Sequence, residues 1–469
     1  MERLSSLDAS FLYRETPTNP LHLGAVFIVE LNSKNPDQFF EDVKQILLQR
    51  IGILAPLGRK LLEVPLQLGL PFWIQDTNFD IDYHLRKISV PRPIEESQLW
   101  DVVAEVMAKP LDRRHPLWEM YFIETLKGNR VAISIKLHHA ATDGVSASEL
   151  AMKLLDTSSS GFLDEDKMID QDVASKEQVP SRLDLVLNEL KPTNDNFPTW
   201  LGATRHFLNI AIAMKFKNTS QLEKYPRLFQ TCRTSLNVPI TSKRKIATSK
   251  LVLKDLKQLA RHLDATVNDI ILGICSGALI RYFELIQEPL STTLVALVPI
   301  SFRDMGSPSL GNHLSVMFVP LRTDISDPIE RINCIREFTK KEKYRGRLPG
   351  FEAVNQITAF TGSVVVNKIL QMTTKLSKSK LLPTFFNLII SHVPGSSQNL
   401  YFAGNRVESI YPFGPITDGC ALNITSFKYR DFIHLGIIAD FEAVEHMEEF
   451  NSYLAQATQE LLNLAQDRS

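Results

Sequence analysis

Between residues 21 and 155 the hydrophobic side chains change period several times, and this constrains the fold more than any other feature of the chain. The runs "LGAVFIVEL" (23–31) and "VAISIKLHH" (131–139) are strand-like, and the second places apolar residues at alternate positions, as a strand with one face against a core requires. The runs "NPDQFFEDVKQILLQR" (35–50) and "SQLWDVVAEVMAKPL" (97–111) repeat them every three to four residues, as an amphipathic helix does. Strands and helices in alternation predict an α/β architecture with helices laid on mixed sheets. From Asp156 to about Trp200 the chain turns polar and acidic, with "DTSSSG", "LDEDK" and two prolines ahead of "FPTW", a linker with one helix expected near 181–191. A second α/β block follows. It holds the helix "TVNDIILGICSGALIRYFEL", the strands "TTLVALVPISFR" and "HLSVMFVPLRT", the apolar run "FNLIISHVPG", a strand near "IHLGIIADF" and a last helix bearing Val444, Met447, Phe450, Leu454 and Leu461. The expected division is an N-terminal half over 1–160, a linker with helices over 161–235 and a C-terminal half over 236–469.

The run at 131–139 ends unusually. Extending its alternation puts His139 on the apolar row with Val131, Ile133, Ile135 and Leu137, and His138 on the other row with Ala132, Ser134 and Lys136. The strand is expected to be half-buried, and the two histidines to face opposite ways. Asp143 and Gly144 then signal a turn, and Ser146 with Glu149 has the spacing of a capping box before a helix carrying Leu150, Leu154 and Leu155. An imidazole buried at such a strand-to-helix corner is kept neutral by desolvation, so one ring nitrogen can accept a proton near pH 7. The same pattern also describes a core histidine with both nitrogens satisfied. Metal ligation has less behind it: there is no HExxH and no CxxC pair.

Composition narrows the partners. The chain has 469 residues, 44% of them hydrophobic and 22% charged, with a formal net charge of -1, so nothing points to nucleic acid. Anionic ligands would be met by local clusters such as Lys375, Lys378 and Lys380, or Lys243, Arg244 and Lys245. Four cysteines are too few for a disulfide framework, which fits a reducing compartment. The N-terminus lacks the charged-then-apolar order of a secretion signal, and no apolar stretch reaches the ~18 residues of a spanning helix. A cytoplasmic protein is expected.

Several catalytic signatures are missing, among them GxSxG, the phosphate-binding loop and GxGxxG. "GICSG" (273–277) has the wrong spacing for a nucleophile elbow and apolar helical flanks. Asn268 and Asp269 precede an apolar helix, where capping explains them. Pro116, Leu117 and Trp118 make a rigid apolar corner that by itself speaks only of packing. Asn423 sits in a strand-like run, where an amide is unusual unless something polar approaches it.

Together these pieces resemble the bacterial wax ester synthase/acyl-CoA:diacylglycerol acyltransferase family, which carries an HHxxxDG signature, here His138-His139-Ala140-Ala141-Thr142-Asp143-Gly144. The likeness runs nearly end to end, through "LSSLDASFLYRE", "PLHLG", "PLW", "VNDIILGICSGALIRY", "VPISFR", "GNHLS", "SHVPG", "LYFAG" and "ALNITSF". The family resembles the wider CoA-dependent acyltransferases, including chloramphenicol acetyltransferase and condensation domains. That implies two α/β halves with an active-site tunnel between them, His139 as general base, Asp143 holding the loop through an ion pair, and Asn268 with Asp269 approaching from the second half. It also implies acyl-CoA and a long-chain alcohol or diacylglycerol as substrates, no resident cofactor, and access from a membrane or lipid-inclusion surface, for which "FLNIAIAMKFKN" (207–218) is a candidate. Same-fold alternatives are a carrier-bound or non-lipid substrate, or an inactive lipid-binding protein. The family usually has Asn-Val-Pro-Gly where this chain has His392-Val393-Pro394-Gly395.

Overall fold

The computed structural model describes residues 1–32, 35–52, 54–65, 68–90, 94–126, 129–160, 180–190, 231–301, 314–345 and 384–467. Most of the 161–235 linker, the stretch 207–218 and the Lys375, Lys378 and Lys380 cluster lie outside the described residues. The first half runs β1 (Glu2–Arg3), α1 (Ser6–Arg14), β2 (His22–Glu30), α2 (Pro36–Arg50), α3 (Ala55–Gly58), β3 (Arg59–Leu62), β4 (Phe72–Gln75), α4 (Ile81–His84), β5 (Leu85–Ile88), α5 (Glu96–Ala108), β6 (Trp118–Leu126), β7 (Arg130–His138) and α6 (Gly144–Leu154). Local chemistry sets the helix starts. The Ser5 side chain accepts the N–H of Asp8 to open α1, and Asn35 accepts those of Asp37 and Gln38 to open α2 with Pro36 in its first turn.

The second half continues with α7 (Arg182–Leu190), β8 (Arg244–Val252), α8 (Leu253–His262), α9 (Val267–Leu285), β9 (Val295–Ser301), β10 (Leu314–Pro320), α10 (Pro328–Arg345), β11 (Leu388–Ser396), β12 (Tyr401–Phe402), β13 (Asn405–Phe413), β14 (Leu422–Tyr429), β15 (Phe432–Asp440) and α11 (Phe450–Asp467). The helix read near 181–191 is α7. Two six-stranded mixed sheets result, ordered β12-β13-β2-β7-β6-β5 and β10-β9-β11-β14-β15-β8, with β1-β4-β3 as a small third sheet. The first sheet takes β12 and β13 from residues 401–413, and β13 runs antiparallel to β2 with Phe413 opposite Gly24. The first sheet therefore crosses the boundaries drawn on the sequence, and the second keeps within them.

β7 lies between β2 and β6 and is buried on both faces, not one as its alternation suggested. Its apolar row packs beneath α2, and α5 covers the other row, where Ala132 joins Val103 and Met107. Lys136 on that row is wholly buried, 3.0 Å from Glu119 and donating to the carbonyls of Val106 and Lys109. Paired and hydrogen-bonded in this way, a charge can occupy a core position.

α9 forms the centre of the second core, clasped by α8, α10 and α11. "GICSG" belongs to that packing. A Cβ on Gly273 would lie 2.4 Å from Ile332, so the glycine lets α10 approach closely. Burial pushes the Cys275 thiol up to about 12, and the Ser276 hydroxyl donates to the Leu321 carbonyl at 2.7 Å. Neither can act as a nucleophile here. No single helix among the described residues is long and apolar enough to cross a membrane.

Candidate active site

β7 ends at His138, and His139 opens the turn that follows, closed by the Ala141 N–H on the His138 carbonyl at 2.9 Å. The His138 N–H bonds to the Leu117 carbonyl and the His139 N–H to the Leu21 carbonyl, each at 3.0 Å, on opposite neighbours. Leu21 has φ +50, in the left-handed region that an L residue adopts at a cost of roughly 1–2 kcal/mol, and its carbonyl meets His139. The side chains accordingly diverge. Ile135, Leu137 and His139 line a cavity of about 880 Å³, whereas His138 is buried away from it.

The His139 ring lies against Phe11 of α1, centroids 4.0 Å apart and planes 14° from parallel. Burial pushes its pKa down to about 4; the charges of His138 and Arg14 act in the same direction, and that of Asp143 opposes them. At neutral pH it is an uncharged base facing an apolar space.

His138 has a different task. Its Nδ1 accepts the Ala140 N–H at 3.0 Å, which shapes the turn after the strand and puts the proton of the neutral ring on Nε2, 3.6 Å from Glu15. Glu15 in turn accepts from Arg113 at 2.6 and 2.9 Å. Burial would raise the Glu15 carboxyl, but the hydrogen bonding of His138 and the Arg113 guanidinium hold it below its usual range.

Asp143 is the N-cap of α6. Its carboxylate accepts the Ser146 N–H at 2.7 Å, and Gly144 is the first helical residue. The cap thus falls three residues before the Ser146–Glu149 pair that suggested it, because Asp143 holds the extended backbone (φ -90, ψ 174) that a cap requires. Gly144 and Val145 then reach the cavity wall. The far end of α6 is fixed by Arg50, which clamps both oxygens of Asp156 at 2.8 and 3.0 Å and donates to Leu154.

The opposite wall comes from the second half, with Leu297, Ile389, His392, Asn423 and Phe427. Asn423 is buried in β14, and the polar group that approaches it is the Pro415 carbonyl, 2.9 Å from its amide nitrogen; its oxygen accepts from Thr425. His392 Nδ1 is 2.9 Å from the Ser426 hydroxyl, which itself donates to the Ser391 carbonyl. A hydroxyl has one proton to give, so Nδ1 is the donor and Nε2 keeps its lone pair on the open side of the ring.

The remaining residues singled out from sequence lie apart from the cavity wall. Asn268 is in the first turn of α9, and Asp269 closes a capping box with Thr266 while accepting from Thr339 at 2.7 Å. Trp118 is fully buried with its indole N–H on the Leu57 carbonyl, and Leu117 supports His138 through its backbone from beside Pro116. Arg244 is buried and bonded to the carbonyls of Thr18, Thr241 and Lys243, so its guanidinium is not open to an anion. Phe11, Arg14, Glu15 and Arg113 were not read from sequence as site residues. The available signal was the spacing of Leu7, Phe11 and Arg14 on one helical face.

Residues 4–271 match the wax ester synthase/diacylglycerol acyltransferase catalytic domain, and residues 310–462 the C-terminal domain of the same family. The O-acyltransferase WSD of Acinetobacter baylyi is 30% identical over 461 residues, spanning 98% of this chain and 96% of its own length. The solved wax ester synthase/diacylglycerol acyltransferase of Marinobacter aquaeolei VT8 superposes with a TM-score of 0.72 at 26% identity, over 99% of this chain and all of that one. A trichothecene 15-O-acetyltransferase of Fusarium sporotrichioides shares the fold at a TM-score of 0.59 and 14% identity, over 99% of this chain and 95% of its own.

Proposed function

Because the chain belongs to the wax ester synthase/diacylglycerol acyltransferase family and is an O-acyltransferase, we propose that it moves a long-chain acyl group from acyl-CoA directly to a fatty alcohol or a diacylglycerol. The observation that carries this reading is a neutral, buried His139 opening onto a largely apolar cavity of about 880 Å³ between the two sheets. In the proposed step His139 takes the hydroxyl proton as the acceptor oxygen attacks the thioester carbonyl. The tetrahedral intermediate collapses, the C–S bond breaks, and the coenzyme A sulfur takes the proton from the ring and leaves as the thiol, which returns His139 to its neutral form. Holding both reactants in a dry, apolar space removes much of the entropic barrier, up to about 7–11 kcal/mol when the alignment is ideal.

Acceptor choice follows from the walls. Apolar contacts discriminate by only about 1–3 kcal/mol per methylene, so the range of acceptors is broad. An unbranched primary alcohol threads such a cavity more easily than a diacylglycerol, and of these two neutral acceptors we rank it first. Since acceptor and product are both lipids, the protein works in the cytoplasm at a membrane or inclusion surface in this reading, which flotation with lipid vesicles would test.

The decisive measurement uses purified protein and palmitoyl-CoA, with hexadecanol or dipalmitoylglycerol at matched surface concentration, following ester and free coenzyme A. Ester should form with both, faster with hexadecanol. No ester with either acceptor would overturn the reading, and a faster diacylglycerol rate would overturn the ranking.

A further inference from the structure

α1 turns Leu7, Phe11 and Arg14 into the cavity wall, the spacing that stacks side chains along one helical face. Two of them suit an apolar space. The third is a guanidinium, and it makes no hydrogen bond or ion pair with any described residue. Arginines nearby are engaged: Arg50 clamps Asp156, and Arg113 takes Glu15, the acid next to Arg14 in sequence. Glu149 also lies on the cavity wall and is not within ion-pair distance of Arg14. Arg14 is half-buried, and a cation partly withdrawn from water without a counter-ion costs free energy. Burial alone already pulls Arg14 below its usual pKa. An anion entering the cavity would offset that cost.

Position decides which anion. Phe11 is stacked on His139, Arg14 is the next residue of that face, and its charge acts on the imidazole. With a thioester carbonyl at His139, the phosphates of coenzyme A lie a whole pantetheine arm away, beyond this site. Neutral alcohols and diacylglycerols bring no charge. The species that fits is an acceptor with an anionic group a few bonds from its reacting hydroxyl.

Resting on the acyltransfer reading above, we propose that Arg14 is a specificity-determining residue that selects acceptors whose hydroxyl is flanked by a carboxylate or phosphate, such as a 3-hydroxy fatty acid. The hydroxyl oxygen attacks the thioester carbonyl and gives its proton to His139. The C–S bond breaks, coenzyme A leaves as the thiol with that proton, and the anionic group stays on Arg14 unchanged. The product is an O-acylated hydroxy acid or its phosphate counterpart.

The test uses palmitoyl-CoA and two acceptor pairs: 3-hydroxyhexadecanoate against its methyl ester, and 1-palmitoylglycerol 3-phosphate against its neutral dimethyl phosphate ester. In each pair the chain and the reacting hydroxyl stay while the charge goes. The kcat/KM ratio of anionic to neutral acceptor should be about 10- to 100-fold higher in the wild type than in Arg14→Leu, the range of a charge-assisted hydrogen bond, and intermediate in Arg14→Lys. A larger effect in the first pair assigns a fatty-acid type of acceptor, in the second a glycerophosphate type. Arg14→Gln carries the comparison if the leucine variant does not fold. Equal ratios in wild type and variant overturn the proposal. Calorimetric binding of the same pairs without donor separates this site from the reaction. A preference for the anions that disappears in Arg14→Leu, with no ester formed from any acceptor including hexadecanol, upholds the subsite and overturns the acyltransfer reading.

Discussion

His139 and His138 are neighbours in sequence with opposite surroundings, and substitution should separate them. His139→Ala removes the base from the cavity wall and is expected to lower the transfer rate by about 10²–10⁴-fold, with the protein still folded. His138→Ala strands the buried Ala140 N–H that now bonds to the ring, which costs roughly 1–3 kcal/mol, so it should lower the melting temperature and reduce the rate less. Equal rate losses would remove the distinction. The pH profile offers a second check. His139 must be neutral to work, and its pKa is pushed down to about 4 from the ordinary 6.5. Acid therefore silences the enzyme only as pH falls toward 4, and kcat/KM should stay flat through pH 6–7, where an ordinary histidine titrates; an acid limb centred near 6.5 would overturn this assignment. The diverging faces were legible because strand side chains alternate strictly. Arg14 was not, since a single charge in "FLYRE" looks like any solvated helix position until the packing of α1 is known.

Among the elements, α6 matters most to the site because its first turn carries Gly144 and Val145 to the cavity. Asp143 holds that turn by accepting the Ser146 N–H. Asp143→Ala should cost about 0.5–2 kcal/mol of stability and lower the rate with it, whereas Asp143→Ser, which can still cap, should keep most of both. Thermal melts and initial rates on the two variants decide this. An alanine variant that melts like the parent yet is inactive would give the carboxylate a direct chemical role. Sequence showed that a helix starts at this corner and where its apolar residues lie. The capping residue was harder to place, because Asp143 and Ser146 are both good caps and only the backbone conformation chooses between them. The half-buried expectation for β7 failed for a related reason: its alternate row, Ala132, Ser134 and Lys136, appears solvent-facing until Glu119 and the carbonyls closing α5 are seen to meet the lysine.

At the scale of the whole molecule, the two α/β halves were legible from alternating periodicities, but the passage of β12 and β13 into the first sheet was not, since a strand's partner across hundreds of residues leaves no local mark. β13 pairs along β2 from Arg406 opposite Glu30 to Phe413 opposite Gly24, and the β2 segment it covers contains the buried Val26, Phe27, Ile28 and Val29. This predicts how the chain behaves when divided. A fragment ending between Leu190 and Thr231 keeps His139, its turn and α6 but loses β12 and β13, so the nine-residue β2 becomes an apolar sheet edge, a template for association with other chains. It also loses the cavity wall built from Ile389, His392 and Phe427. Expressed alone, the N-terminal fragment should aggregate and transfer no acyl group. Co-expressed with the remainder of the chain, it should copurify as a one-to-one complex and regain ester formation, because β13 restores the sheet and β11 the wall. Size-exclusion chromatography and the palmitoyl-CoA assay on both preparations test this. A soluble, monodisperse N-terminal fragment with a cooperative melt would show that β13 is dispensable to the first sheet. Transfer activity in that fragment alone would show that the second half is dispensable to the chemistry.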